Sequence, residues 1–335
     1  MGDRARGTGQ RLSVVVPLYD EADSIEPLVE SVHQALAGYP QPWELVLVDD
    51  GSTDATASRL VGAIERFGNH VRAISLQRNF GQTAALQAGI DAARGEVIAT
   101  LDGDLQNDPA DIPHMVHRLL AEDLDLVAGW RRDRRDGLVR RLPSRLANGL
   151  IGRITGIALH DYGCTLKVFR AAVLKRIRLY GEMHRFIPAW VAAQTSPSRI
   201  QEEVVRHHRR RFGASKYGLG RTFRVLLDLL AVYFFIRYRA RPGHFFGKIG
   251  LFFGALGGLA LGWLLIVKYG MGEDIGDRPL LLVGILFVML SVQLLTTGVL
   301  AEMMTRTYYE SSDTRSYVVR DQMPADADAG WRQPS

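Results

Sequence analysis

Cysteine is almost missing from this chain. Cys164 is alone among 335 residues, so an internal disulfide is excluded and a reducing compartment is expected. The opening MGDRARGTGQR has no apolar h-region, which argues against a secretory signal peptide. Asp3 and Arg6 fit a myristoylation signal poorly, and residues 1–10 are expected to form a disordered basic tail. No glycine-rich loop follows the first strand-like run, which excludes a dinucleotide fingerprint and a Walker A loop. A nucleotide bound by such a chain has its phosphates held by side chains and a metal. The formal charge is only +5, from 41 Lys+Arg against 36 Asp+Glu, and no nucleic-acid partner is expected.

What is present is unevenly distributed. Residues 249–267 form a run of nineteen without a charge, and 280–301 a run of twenty-two. Each is long enough to cross a hydrocarbon core of about 30 Å as a helix, and the pair predicts a two-span hairpin over 245–301. Arg237, Arg239, Arg241 and Lys248 precede the first run with no acid among them, whereas the connection 268–279 is mixed in charge. The positive-inside bias then places the catalytic part and both termini, including the tail 302–335, on the cytoplasmic face of the plasma (inner) membrane. Gly250, Gly254, Gly258 and Gly262 recur every four residues in the first span. That spacing permits close helix contact, either with the second span or with another subunit in a homo-oligomer.

Before residue 235 the pattern is that of a soluble α/β protein. Apolar, β-branched runs predict strands over 12–16, 43–48, 71–76, 96–101 and 124–128. Helical spacing predicts helices over 24–37, 54–67, 81–93 and 111–121, with Asp54 as the N-cap of the second. This alternation implies a mostly parallel, Rossmann-like sheet covered on both faces, over a domain of 11–218. Two basic clusters follow, WRRDRRDGLVRRLPSRLANGLIGRITG and RHHRRRFGASKY. An apolar stripe flanked by arginines over 219–244 reads as amphipathic helix at the membrane surface.

Ligands of open α/β sheets bind outside the carboxyl ends of the strands. Here those ends carry Tyr19 and Glu21, Asp49 and Asp50, Arg78 and Asn79, and Asp102 and Asp104. One such end is an ordinary turn, but four together predict a site. Asp102-Gly103-Asp104 is either an Asx-type turn or a pair of hard oxygen ligands for Mg²⁺ or Mn²⁺, with Gly103 allowing a diphosphate close to the backbone.

The segments VVVPLYDEADSI, VLVDDGSTDAT, LQRNFGQTAALQAG and TLDGDLQNDP, in that order, resemble inverting glycosyltransferases of family 2 with the GT-A fold. AGWRRDR, DYGCTLKVFR, HRFIP and RRFGASKYG extend the likeness to the polyprenyl-phosphate subgroup, which includes dolichol-phosphate mannose synthase and bacterial undecaprenyl-phosphate glucosyltransferases. The resemblance implies that Pro17, Tyr19, Glu21, Asp50 and Arg78 hold the nucleoside end of a nucleotide sugar. It implies that Asp102, Asp104 and Gln106 gather Mg²⁺ or Mn²⁺ and the diphosphate. Arg131 and Arg141 then match a mobile loop over the donor, and Arg211, Ser215 and Lys216 the phosphate of a polyprenyl phosphate acceptor. Asp161 either orients the acceptor and takes a proton or is a satisfied turn residue. His184 is equally credible as a packing residue, and Cys164 is expected to be small and buried. Asp20 departs from the family, which usually has Asn there.

The expected activity is inverting transfer of a hexose, UDP-glucose being favoured as donor over GDP-mannose, onto a polyprenyl phosphate of the membrane. A processive polysaccharide synthase needs more spans and a Gln-x-x-Arg-Trp signature that this chain lacks. A phosphatase wants a hydroxyl or β-branched residue soon after the aspartate pair, where Leu105-Gln106-Asn107 stands. A non-catalytic membrane scaffold is the alternative from another class, and intact Asp102, Asp104 and Arg211 argue against it.

Overall fold

The structure, a computed structural model, describes residues 10–132, 152, 156–179, 181, 183–208, 243–310 and 316–324. They fall into two compact units, one holding a β-sheet and the other two long helices.

In the first unit, strands β1 (Leu12–Leu18), β2 (Trp43–Asp49), β3 (Val71–Leu76), β4 (Val97–Thr100) and β5 (Leu126–Trp130) follow the expected order. Helices α1 (Ile25–Leu36), α2 (Thr56–Phe67), α3 (Gln82–Ala92) and α4 (Ile112–Ala121) alternate with them. Three further strands, β6 (Lys167–Arg170), β7 (Ile200–Val204) and β8 (Val319–Met323), complete an eight-stranded sheet in the order β7-β5-β6-β4-β1-β2-β3-β8. β1 lies parallel to β2 and β4, and β3 parallel to β2, with Pro17 opposite Val48 and Leu18 opposite Asp49. β6 and β8 run antiparallel to their neighbours, so the sheet is mixed rather than uniformly parallel.

The core explains the periodicities. β1 and β2 are buried almost throughout, as expected of strands covered on both faces. Ile25, Leu28, Val29, Val32 and Leu36 of α1 and Ile112, Met115, Val116 and Leu119 of α4 pack into one apolar cluster with β1, β2 and β4. α2 starts two residues later than expected. Its N-cap position is Ala55, and the Asp54 carboxylate instead accepts the Thr56 N–H at 2.9 Å and the Ala22 N–H at 3.3 Å. Asp54 therefore ties the β1–α1 loop to the start of α2 rather than capping it.

The second unit contains α5 (Gly243–Gly270) and α6 (Pro279–Glu310). Within them, Phe245–Gly270 and Pro279–Ala301 have mean hydropathies of 2.1 and 2.3, long and apolar enough to cross a membrane. The helices pack antiparallel: a Cβ on Gly250 would lie 3.2 Å from Leu295, one on Gly254 2.7 Å from Ser291, and one on Gly257 2.9 Å from Gly284. Gly258 and Gly262 face open space instead, so the every-fourth stripe is only half an interface. Steps of four residues advance about 40° beyond a full turn, and the stripe rotates off the contact while Gly257 replaces Gly258 on it.

Candidate active site

The carboxyl ends of β1, β2 and β4 form one rim, and its loops are tied to each other by side chains. Asp20 sits at φ 52°, a left-handed backbone that Asp and Asn tolerate. Its N–H donates to Ser52 Oγ at 2.9 Å, while its carboxylate accepts the Thr53 N–H at 2.9 Å. The departure from Asn thus keeps both the backbone shape and a hydrogen-bond acceptor. Glu21 donates its N–H to Thr56 Oγ1 at 3.1 Å. Tyr19 is 37% exposed on the same loop.

Asp50 is buried, and its two oxygens accept the backbone N–H groups of Phe80 and Gly81 at 2.8 and 2.9 Å. Burial raises its pKa, these two donors pull it back, and Asp49 next door adds to the rise, for a net upward shift. Its geometry here is a brace between the β2 and β3 loops. Gly51 is required for that approach. At φ 69°, a Cβ there would fall 2.3 Å from the Arg78 backbone. Arg78 lies over the Phe80 ring at 4.2 Å.

Asp102 is the electrostatic centre. Its Oδ1 accepts from Gln82 Nε2 at 2.9 Å. Burial first, and then the Asp104 charge, push its pKa up to about 6, against relief from Thr165, Lys167 and Arg131. Asp104 accepts the Gln106 N–H at 3.1 Å across a turn in which Leu105 takes φ 59°. The segment is therefore both a turn and a pair of neighbouring carboxylates. Two hard oxygen donors side by side, with the Gln106 amide two residues on, suit Mg²⁺ or Mn²⁺. Among the described residues no three His, Cys, Asp or Glu side chains converge. Gly103 serves packing here: a Cβ on it would meet Leu18 Cδ2 at 2.3 Å.

Arg131 and Asp161 form a bidentate pair, Nε to Oδ2 at 2.7 Å and Nη2 to Oδ1 at 3.0 Å, each side chain 12% exposed. Burial opposes the guanidinium charge, but the Asp161 partnership outweighs it and raises the Arg131 pKa. Glu202 of β7 holds the other side of Asp161, accepting the backbone N–H groups of His160 and Asp161 at 2.7 and 3.0 Å. Asp161 thus orients Arg131, and taking a proton from a substrate requires it to give up that pair. Cys164 is fully buried, with its thiol pushed up to about 11 by burial, which suits a packing residue rather than a nucleophile.

One cavity touches Pro17, Gln82, Asp102, Thr165, Lys167 and His184. His184 Nδ1 lies 2.6 Å from Thr83 Oγ1, which fixes the ring at the cavity wall. Lys167, Gln82, Thr165 and Glu202 are contributors that the motifs did not single out. The available signal for Lys167 was a lysine inside the apolar run CTLKVF. Arg141, Arg211, Ser215 and Lys216 lie outside the described residues, as does 219–242 of the segment expected to be amphipathic helix.

The family model described as Glycosyl transferase family 2 matches residues 13–178. The chain is 59% identical over 310 residues to a dodecaprenyl-phosphate galacturonate synthase of Rhizobium johnstonii, covering 92% of each chain. It is 37% identical over 312 residues to an undecaprenyl-phosphate 4-deoxy-4-formamido-L-arabinose transferase of Pseudomonas aeruginosa, covering 91% of this chain and 87% of that protein. Among solved structures, a glucosyl-3-phosphoglycerate synthase from Mycobacterium tuberculosis in complex with Mn²⁺, UDP and glucosyl-3-phosphoglycerate superposes with a TM-score of 0.52. At 21% identity, over 68% of this chain and 80% of that one, it shares the fold.

Proposed function

This chain belongs to glycosyl transferase family 2, and we propose that it transfers a uronic-acid sugar from a UDP donor to a polyprenyl phosphate at the cytoplasmic membrane face. The observation that carries this reading is the 59% identity, across 92% of both chains, to a protein named for dodecaprenyl phosphate and galacturonate. It moves the favoured donor from UDP-glucose to UDP-galacturonate. The two helices long enough to span a membrane are in keeping with a lipid acceptor. β8 follows the second of them in the chain and pairs with β3, which supports the two termini sharing one face.

In this reading Pro17, Tyr19, Glu21, Asp50 and Arg78 surround the nucleoside. Asp102, Asp104 and Gln106 would hold a divalent cation. Bound there, the cation supplies Lewis-acid neutralisation of the charge that develops on the departing UDP. An oxygen of the acceptor phosphate attacks the anomeric carbon from the face opposite the diphosphate. The bond from that carbon to UDP breaks, and the configuration inverts. A monoalkyl phosphate has its second pKa near about 6, so the attacking oxygen is ionised at neutral pH and needs no strong base. That agrees with Asp161 being committed to Arg131. The task left to the protein is to bring two anions together. Arg131 is oriented for it, and we assign Arg141, Arg211, Ser215 and Lys216 to the donor cover and acceptor phosphate. The catalytic domain of this proposal spans 11–218, the juxtamembrane helices 219–244 and the hairpin 245–301.

The test is a panel of radiolabelled UDP-galacturonate, UDP-glucose and GDP-mannose, incubated with membranes containing the protein and with polyprenyl phosphate. Label is expected in the lipid fraction from UDP-galacturonate. Lipid label only from UDP-glucose or GDP-mannose overturns the sugar assignment, and label that never enters lipid overturns the acceptor.

A further inference from the structure

Lys167 opens β6 between Leu166 and Val168, both fully buried, and is itself 2% exposed. Its ammonium donates to the Cys164 carbonyl. No carboxylate lies within ion-pair distance of it among the described residues. A buried lysine has three donors to place, and an unpaired charge in such a position is costly. The neighbouring cation, Arg131, already has a carboxylate partner in Asp161. Burial lowers the Lys167 pKa, with Cys164, Asp161 and Asp102 pulling it the other way.

Location gives this cation a use. Lys167 lines the cavity that Asp102, Gln82 and His184 also line. Asp102 belongs to the cation and diphosphate rim, and a donor sugar is one bridging oxygen beyond that diphosphate. A sugar held there projects its ring substituents into the adjoining cavity. On a uronic acid, the one anionic substituent is the C6 carboxylate. It would enter a site where two aspartates and the donor's diphosphate outweigh the charge of one divalent cation, so it is repelled unless a further cation receives it.

We propose that Lys167 receives the C6 carboxylate of the donor sugar and is the residue that selects a uronate over a neutral hexose. This rests on the reading of the donor as a UDP-uronate. Lys167 takes no part in bond breaking. It recognises a group that a hexose lacks.

UDP-galacturonate and UDP-galactose differ only at C6, so the pair isolates the contact. The experiment measures kcat/KM for both donors in the full-length protein and in Lys167→Gln, which keeps a donor for Cys164 while removing the charge. UDP affinity, measured by calorimetry, reports an intact nucleotide site in each. The wild type is expected to prefer UDP-galacturonate. Lys167→Gln is expected to lower kcat/KM for it by about 50-fold, the scale of a hydrogen bond to a charged group, and for UDP-galactose by less than about threefold. Equal losses on both donors with UDP affinity retained assign Lys167 a structural role and overturn the inference alone. A wild type indifferent to the carboxylate overturns the donor assignment first, and the role of Lys167 with it. Should Lys167→Gln not accumulate as folded protein, Lys167→Met removes the same charge in an apolar setting and is scored by the same ratio.

Discussion

Glu44 and Asp102 are carboxylates at opposite ends of one sheet, and their surroundings treat them in opposite ways. Glu44, near the start of β2, has no exposed surface. Its Oε1 accepts from Ser13 Oγ and the Arg94 N–H, both at 2.7 Å, and its Oε2 from Arg72 at 3.0 Å and Arg94 Nε at 2.9 Å. Burial alone would raise its pKa, but the hydrogen bonds from Ser13 and Arg94 and the charge of Arg72 overcome it, and the net shift is down. Asp102, just past the end of β4, has a second carboxylate beside it and a pKa of about 6. The first end is complete in itself and holds β1, β2, β3 and the 92–95 turn together. At the second, burial and the Asp104 charge outweigh the relief that Thr165, Lys167 and Arg131 give Asp102, which leaves it unfinished in the way expected of a functional site.

The comparison is broken most severely at Asp104. Asp104→Asn is expected to cut sugar transfer by about a thousandfold, roughly 4 kcal/mol of barrier, while folding stability stays level or rises because a like-charge contact is gone. Transfer assays beside urea denaturation check both halves. Glu44→Gln should do the reverse. It leaves Arg72 and Arg94 without their counter-charge and is expected to cost about 3 kcal/mol of stability, with UDP affinity unchanged in the folded fraction.

Acid sharpens the contrast further. The lowered Glu44 pKa contributes stability that is present above its ordinary value near 4.5 and is lost as pH falls through the folded value. The raised Asp102 pKa has the opposite sign. Its contribution is complete below its ordinary value near 3.8 and is lost as pH rises through about 6. Ligand-free protein should therefore lose stability between about pH 4 and 6.5, and Asp102→Asn should shrink that limb of the curve, the remainder belonging to the raised Asp50. A limb unchanged by the substitution assigns it to another group. The smallest effect is expected at Tyr317, whose hydroxyl donates to Asp91 Oδ2 at 2.8 Å beside β8. Tyr317→Phe should cost about 1 kcal/mol, read as faster hydrogen exchange of the Val319–Met323 amides.

The finished and unfinished ends were not equally legible. β1 to β5 announced themselves because apolar runs ending in Asp, Asn and Gly alternate with helical spacing. β6, β7 and β8 did not, since KVFR, IQEEV and VRDQM are four or five residues long and carry charges without an alternating pattern. They exist because neighbouring strands and loops accept their backbone groups, which is tertiary information. At the site, Asp50, Asp102 and Asp104 stood out by residue type at strand ends. The bracing of Asp50 onto Phe80 and Gly81, the Arg131–Asp161–Glu202 chain and the place of Lys167 each join residues about thirty or more apart in sequence, beyond the reach of local spacing.

The most direct test of the unfinished site is thermal denaturation of wild type and Asp104→Asn, alone and with Mn²⁺ and UDP. A ligand pair at about a hundred times its dissociation constant stabilises by about 2.7 kcal/mol, so the wild-type midpoint should rise clearly on addition. Asp104→Asn should melt at or above the wild type when ligand-free and show no rise when both are added. A ligand-free variant that melts well below the wild type, or a rise that persists in it, contradicts the account.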